Sequence, residues 1–168
     1  MVNPVILEKE VIEYKEPEPI IEEEILEKNL QPIDMNYDIM VKTNLTKEDL
    51  VRTLGGIRQG IEPYLDAIVE AEKVYGINSL YLTAALGYES GWGEYESGYN
   101  NISGWVIDGQ FYNFNSRYEC IMTTAAGLVN DFVPDTGTNI VNVANRYCQD
   151  YGYLDTLLQI MSELQNNL

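Results

Sequence analysis

From Thr46 onward, apolar residues recur at helical spacing between short polar or glycine-containing breaks. Thr46 followed by Glu48-Asp49 carries the polar cap and first-turn acids of a helix start, and Gly55-Gly56 ends that segment. Ile61, Tyr64-Leu65 and Ile68-Val69 form the next stripe, with Pro63 tolerable in a first turn and Gly76 as the stop. A further helix begins after Asn78 or Ser79 and runs to about Glu89; it is apolar nearly all round, the pattern of a central, buried helix. Asp108-Gly109, between Val106-Ile107 and Phe111-Tyr112, is a tight-turn signal and predicts a small β-hairpin. Ser116 with Glu119 reads as a capping box that opens a helix through Cys120-Ile121, Thr124-Ala125, Leu128-Val129 and Phe132, closed by Pro134. Two stripes follow, Ile140/Val143-Ala144/Tyr147-Cys148 and Leu154/Leu157-Leu158/Met161/Leu164. Together they predict a mainly α domain over residues 46–168, with five or six helices, one hairpin insert and no internal repeat.

Residues 1–45 have a different pattern. Short apolar runs (Val5-Ile6-Leu7, Ile20-Ile21, Ile25-Leu26) alternate with glutamates, and Pro17 and Pro19 interrupt any helix. Such a segment buries too little apolar surface to offset its own ordering entropy. Two readings follow for 1–45: a solvated tail or linker, or an arm that orders against a protein partner.

Composition narrows the chemistry. The 168 residues carry a formal net charge of −17, which argues against nucleic acid and against an anionic membrane surface as partners. There is no histidine, so Ser-His-Asp and Cys-His catalysis and His-ligated metals are excluded. The two cysteines, Cys120 and Cys148, are too few for a disulfide scaffold; both fall on apolar stripes and are expected as buried thiols, a bridge between their helices being the alternative. No apolar run approaches the ~20 residues of a membrane span. The first twenty residues lack the basic start and apolar core of a signal peptide.

Glu89 ends the most apolar helix and is followed at once by Ser90-Gly91-Trp92-Gly93. Near Tyr88 and Trp92, and at the negative end of a helix, its ionised form is disfavoured, as a general acid near neutral pH requires. The plainer reading is a surface glutamate at a frayed helix end. Eleven of the thirteen tyrosines and both tryptophans lie after residue 50, and flat aromatic faces with Asn100 and Asn101 suit a sugar. Most such aromatics also serve simply as core.

The run Glu89-Ser90-Gly91-Trp92-Gly93 after Ala84-Ala85-Leu86, then Asn100-Asn101-Ile102-Ser103-Gly104-Trp105, resembles the glucosaminidase family, glycoside hydrolase family 73, whose members are bacterial and phage peptidoglycan hydrolases of the lysozyme-like superfamily. The resemblance covers about residues 60–165. Phe114 to Ile121 is similar to the family's Tyr-x-Ser-x-x-Glu-Ser-Ile helix start, and Arg146 to Tyr153 to its Tyr-Ala-Thr-Asp-Pro-x-Tyr segment. It implies a lysozyme-like fold, Glu89 as catalytic acid, Tyr153 as a tyrosine shaping the site, and Asn101 and Gly104 as the turn on the cleft floor. Ser90, Trp92 and Trp105 join these as expected substrate contacts. Ser103 stands where the family has an aromatic residue, and Asp108 is the only acid between Glu96 and Glu119. The expected reaction is hydrolysis of a β-1,4 bond in the peptidoglycan glycan strand, with no metal or organic cofactor. The nucleophile is the substrate's own 2-acetamido group or a water activated by Asp108. Muramidase or lytic transglycosylase activity, and a vestigial wall-binding virion component, are the rival readings. An extracellular or virion-associated setting, with the arm docked on a partner such as a phage tail, goes with the leading one.

Overall fold

The computed structural model describes residues 26–148 and 150–168. Residues 1–25, and with them the Pro17 and Pro19 part of the expected arm, lie outside the described residues. The architecture is mainly helical with one small hairpin. Its helices are α1 (Lys47–Thr53), α2 (Leu65–Tyr75), α3 (Ser79–Ser90), α4 (Arg117–Gly127), α5 (Val133–Thr136), α6 (Ile140–Tyr147) and α7 (Tyr153–Asn166). Strand β1 (Val106–Ile107) pairs antiparallel with β2 (Gln110–Phe111). No helix among the described residues is long and apolar enough to cross a membrane.

Local signals set most boundaries. The Thr46 side chain accepts the Asp49 N–H while the Asp49 carboxylate accepts the Thr46 N–H, a complete capping box on α1. Gly76 and Gly91 close α2 and α3 in left-handed conformations. Asp108 and Gly109 both have positive φ, the two-residue turn whose twist matches a hairpin. Helix α3 is the axis of the domain: every residue from Ser79 to Gly87 is buried, with α2 and α7 packed along it.

Three local boundaries differ from expectation. Pro63 sits not in α2 but in a 3-10 turn, Gln59–Tyr64, that precedes it. Pro134 does not end the helix that α4 begins. A wider turn of π type, Leu128–Phe132, closes with the Val133 N–H bonded to the Leu128 carbonyl and carries the chain into α5. Pro134 then lies in the first turn of α5, where its missing N–H costs nothing, and Gly137 makes the stop. At Ser116 only half of the expected box forms: Ser116 Oγ accepts the Glu119 N–H, but the Glu119 carboxylate takes the Asn115 N–H.

The largest difference concerns residues 26–45, which belong to the domain. Tyr37, Ile39 and Leu45 are buried in the core. The Ile39 N–H donates to the Thr138 carbonyl, and the Ile140 and Asn78 N–H groups donate to the Tyr37 and Ile39 carbonyls. The Tyr37 hydroxyl reaches Asn78 Oδ1 at 3.1 Å. This strap has no periodic stripe: Tyr37, Ile39 and Leu45 are buried while Leu26, Leu30 and Met35 stay exposed, and its backbone bonds to neighbouring segments.

A chain beginning at Thr43 loses Tyr37 and Ile39 from the core. Large-to-small core changes alone cost about 2–5 kcal/mol, so its thermal midpoint is expected to drop by at least about 5 °C. An unchanged midpoint in calorimetry would return residues 26–42 to an accessory role.

Candidate active site

The end of α3 is locked before any ligand is considered. Ser90 Oγ donates to the Leu86 carbonyl and accepts the Gly93 N–H, each at 2.7 Å, and Ser90 is fully buried. Trp92 has φ +63°, sparsely populated for a bulky residue. Its ring covers Gly87, where a Cβ would collide with it, and the Arg58 guanidinium lies 4.4 Å above the ring. Trp92 is therefore a peg that pins the turn to the side of α3. It does not line the cavity that holds Glu89.

That cavity, about 260 Å³, has walls from Glu89, Ser103, Gly104, Trp105, Val106, Phe132, Tyr147 and Cys148. The loop from 101 to 105 forms its floor and is built around Asn101, which is buried. Asn101 Nδ2 donates to the Trp105 and Tyr112 carbonyls, and its Oδ1 accepts the Trp105 N–H at 3.0 Å. The expected contact Asn101 is thus the builder of the turn rather than part of its exposed face. Gly104 has φ +67°, and a Cβ there would stand 3.2 Å from Glu89 Oε2. The backbone conformation favours glycine at that position, and any larger residue would also press on the carboxylate. The Trp105 ring rests in a notch over Gly127, where any Cβ would collide with it.

Aromatic rings continue from Trp105 through the rest of the wall. Phe132 lies 6.3 Å from Trp105 and 5.9 Å from Tyr147, Tyr147 stacks on Tyr153 at 6.1 Å, and Tyr153 meets Tyr88 edge-on at 5.0 Å. The Tyr147 hydroxyl donates to the Ser103 carbonyl at 2.6 Å, tying α6 to the floor. Tyr153 is buried behind Tyr147, which gives it a packing position in the wall.

Against these rings Glu89 is half-buried, and among the described residues its carboxylate makes no ion pair or hydrogen bond. Burial pushes its pKa up to about 7. Among the described residues it is the only carboxylate lining the cavity. Asp108 does not reach it: its positive φ fixes it in the hairpin turn, with exposed residues on either side. Ser103, which stands where the family has an aromatic residue, lines the cavity and turns its hydroxyl inward, accepting from Thr124 Oγ1 at 2.7 Å. Cys120 is buried near Ser103, Cys148 is half-buried on the cavity wall, and both thiols are free.

The structure thus brings together Glu89, Gly104 and Trp105 of the expected set, keeps Ser90, Asn101 and Tyr153 as supports, and separates Trp92 and Asp108 from the cavity. Phe132 and Tyr147 are wall residues that the sequence presented only as members of apolar stripes.

No protein-family model and no curated protein matches the sequence. Solved structures do match it. S. aureus autolysin E in complex with the muropeptide NAM-L-Ala-D-iGlu superposes with a TM-score of 0.66 at 20% identity, over 79% of this chain and 72% of that one. A catalytic mutant of autolysin E in complex with the disaccharide NAG-NAM gives 0.61 at 20% identity over the same shares, 79% and 72%. Autolysin E without a named ligand gives 0.63 at 19%, over 82% and 74%. The resemblance carried by the Glu89 and Asn100-Asn101 runs is met at the level of fold: this chain has the architecture of autolysin E.

Proposed function

We propose that the protein is a glycoside hydrolase that cuts a β-1,4 bond of the peptidoglycan glycan strand on the reducing side of N-acetylglucosamine, with Glu89 as general acid. One observation carries this reading: a carboxylate without a cation, raised to about 7 by burial, in an aromatic-walled cavity. The architecture shared with autolysin E, whose structures hold a muropeptide and a disaccharide, supports the substrate class.

At neutral pH and below, a large share of Glu89 carries its proton and can give it to the leaving glycosidic oxygen as positive charge develops on the sugar. The carboxylate left behind has no cation to hold it ionised, so it readily takes a proton back from the attacking water. With no second carboxylate lining the cavity, the substrate's 2-acetamido oxygen is the nucleophile we favour. The net charge of −17 suits an enzyme held at an anionic wall by a partner, as in an extracellular or virion-associated setting.

Glu89→Gln is expected to fold and to lose about 10²- to 10⁴-fold in rate on purified peptidoglycan. Mass spectrometry of the wild-type digest should find N-acetylglucosamine at new reducing ends. Muramic acid ends would move the reading to a muramidase, anhydro ends to a transglycosylase, and wild-type turnover by Glu89→Gln would end it.

The same carboxylate predicts two pH effects. The free-enzyme kcat/KM should fall as pH rises through about 7, where the proton is lost. An acid whose folded pKa lies above its unfolded value of 4.5 binds more protons folded than unfolded, so stability should decline between pH 4.5 and about 7. Glu89→Gln should lack that part of the decline in a thermal melt series; parallel wild-type and variant curves would contradict the burial argument.

Gly104→Ala places a methyl group against the Glu89 carboxylate at a left-handed position. A stability loss of about 1–2 kcal/mol is expected from the backbone, with a drop in kcat at unchanged fold by circular dichroism. Wild-type kcat would mean that the floor yields.

A further inference from the structure

Exposed apolar side chains are not spread evenly over the surface. Of the thirteen large hydrophobics exposed among the described residues, six lie between residues 95 and 112: Tyr95, Tyr99, Val106, Ile107, Phe111 and Tyr112. They belong to the loop after α3 and to the hairpin, and both segments border Glu89. The Tyr95 ring lies against Gly91, the cap of α3 two residues beyond Glu89. Val106 is itself part of the Glu89 cavity wall. In the hairpin register Val106 pairs with Phe111, so the two side chains stand on one face with Cβ atoms about 5 Å apart. Ile107 and Gln110 form the next pair and point to the opposite face. Phe111 is 56% exposed and takes part in no aromatic pair among the described residues. A cross-strand partner explains one side of its ring. It does not explain a ring left more than half in water beside the cavity, within a cluster of other exposed apolar groups. From Ser97 to Asn115 the chain carries a single charged residue, Asp108, in a protein of net charge −17. So neutral a face selects neither an acidic nor a basic partner, and suits an uncharged ligand that lays its C–H faces on rings.

We infer that Phe111 is a platform for a sugar of the bound glycan strand that lies outside the Glu89 cavity and is reached along Val106. The inference rests on the hydrolase reading for the identity of the strand, and on the hairpin's own register for the contact. A cavity of about 260 Å³ is smaller than the sites that enclose a drug-sized ligand, so a strand of several sugars must continue over neighbouring surface. The Val106 and Phe111 face is apolar surface continuous with that cavity. The platform is also braced from behind. A Cβ at Gly98 would stand 2.8 Å from the Tyr112 carbonyl oxygen and 3.5 Å from Phe111 Cβ, so loop and strand pack with no room for a methyl group. A ring held in this way adds affinity for long strands through contact alone and takes no part in proton transfer.

The test uses the full chain and glycan strands stripped of peptide. Phe111→Ala should raise KM on long strands by about threefold to tenfold, the worth of one aromatic stacking contact, with the loss falling on KM rather than kcat. Phe111→Trp should restore the affinity, and Ile107→Ala, on the opposite face of the same hairpin, should leave it unchanged. In a Glu89→Gln background, calorimetry should show the same factor lost for long strands and none lost for a disaccharide, which spans only the bond at Glu89. An unchanged KM for Phe111→Ala overturns the inference. So does an equal loss from Ile107→Ala, the mark of a hairpin loosened as a whole. A dimer in sedimentation that Phe111→Ala dissolves would assign the face to a second copy and overturn it as well. Absence of cleavage on every strand, with affinity for long strands still dependent on Phe111, would sink the hydrolase reading alone. Cleavage and binding indifferent to Phe111 would sink the platform alone.

Discussion

Glu72 is a carboxylate 5% exposed, without a cation among the described residues, and held entirely by hydrogen bonds. The Thr43 hydroxyl reaches it at 2.8 Å, and the backbone N–H groups of Asn44 and Ser79 each donate at 2.7 Å. Thr43 and Ser79 also bond each other at 2.6 Å. One side chain of α2 thereby fixes both the strap and the start of α3. Since α3 is a buried rod, what fixes its first turn also fixes the position of Glu89 at its last. A charge withdrawn from water is tolerated only when its acceptor sites are filled. At Glu72 they are. At Glu89 they are not, and that contrast between two glutamates separates the structural carboxylate from the chemical one.

The cavity depends equally on side chains that are missing. Gly87 admits the Trp92 ring, Gly127 admits the Trp105 ring, and Gly104 admits the Glu89 carboxylate. Each glycine makes a notch for one bulky partner, so the walls interlock without a strand behind them. The two-residue hairpin strands are too short to give rigidity of their own. Rigidity comes instead from Asn101 bonding across the loop and from the Tyr147 hydroxyl clamping it.

Caps and stops were legible in the sequence because they act within a few residues: Thr46, Asn78, Ser116, Gly76 and the Asp108-Gly109 turn all sit where local chemistry places them. Glu89 was legible because an acid at the end of an apolar helix contradicts its surroundings. The strap was not, since its order comes from contacts with segments far away in sequence and leaves no period. Trp92 was misleading for a related reason. Adjacency along the chain put it beside Glu89, but a left-handed turn sends its ring to the other side of α3. Tyr147 and Phe132 carry no mark to tell a wall residue from a core one, because the same helical stripe supplies both.

The widened turn at Leu128–Phe132 has a consequence for how this wall changes over evolutionary time. A turn of π type holds one residue more than the α-turn it replaces, and each residue rotates a helix by about 100°. Phe132 faces Trp105 and Tyr147 only in that register. Deleting any one residue of the turn would swing the ring away and draw Pro134 into a helix interior, where its ring meets a carbonyl. Substitutions along this stretch change the wall by degrees, whereas a change of one codon in length replaces it outright. Drift in residue type is therefore the gentle route by which the wall varies, and drift in length the abrupt one.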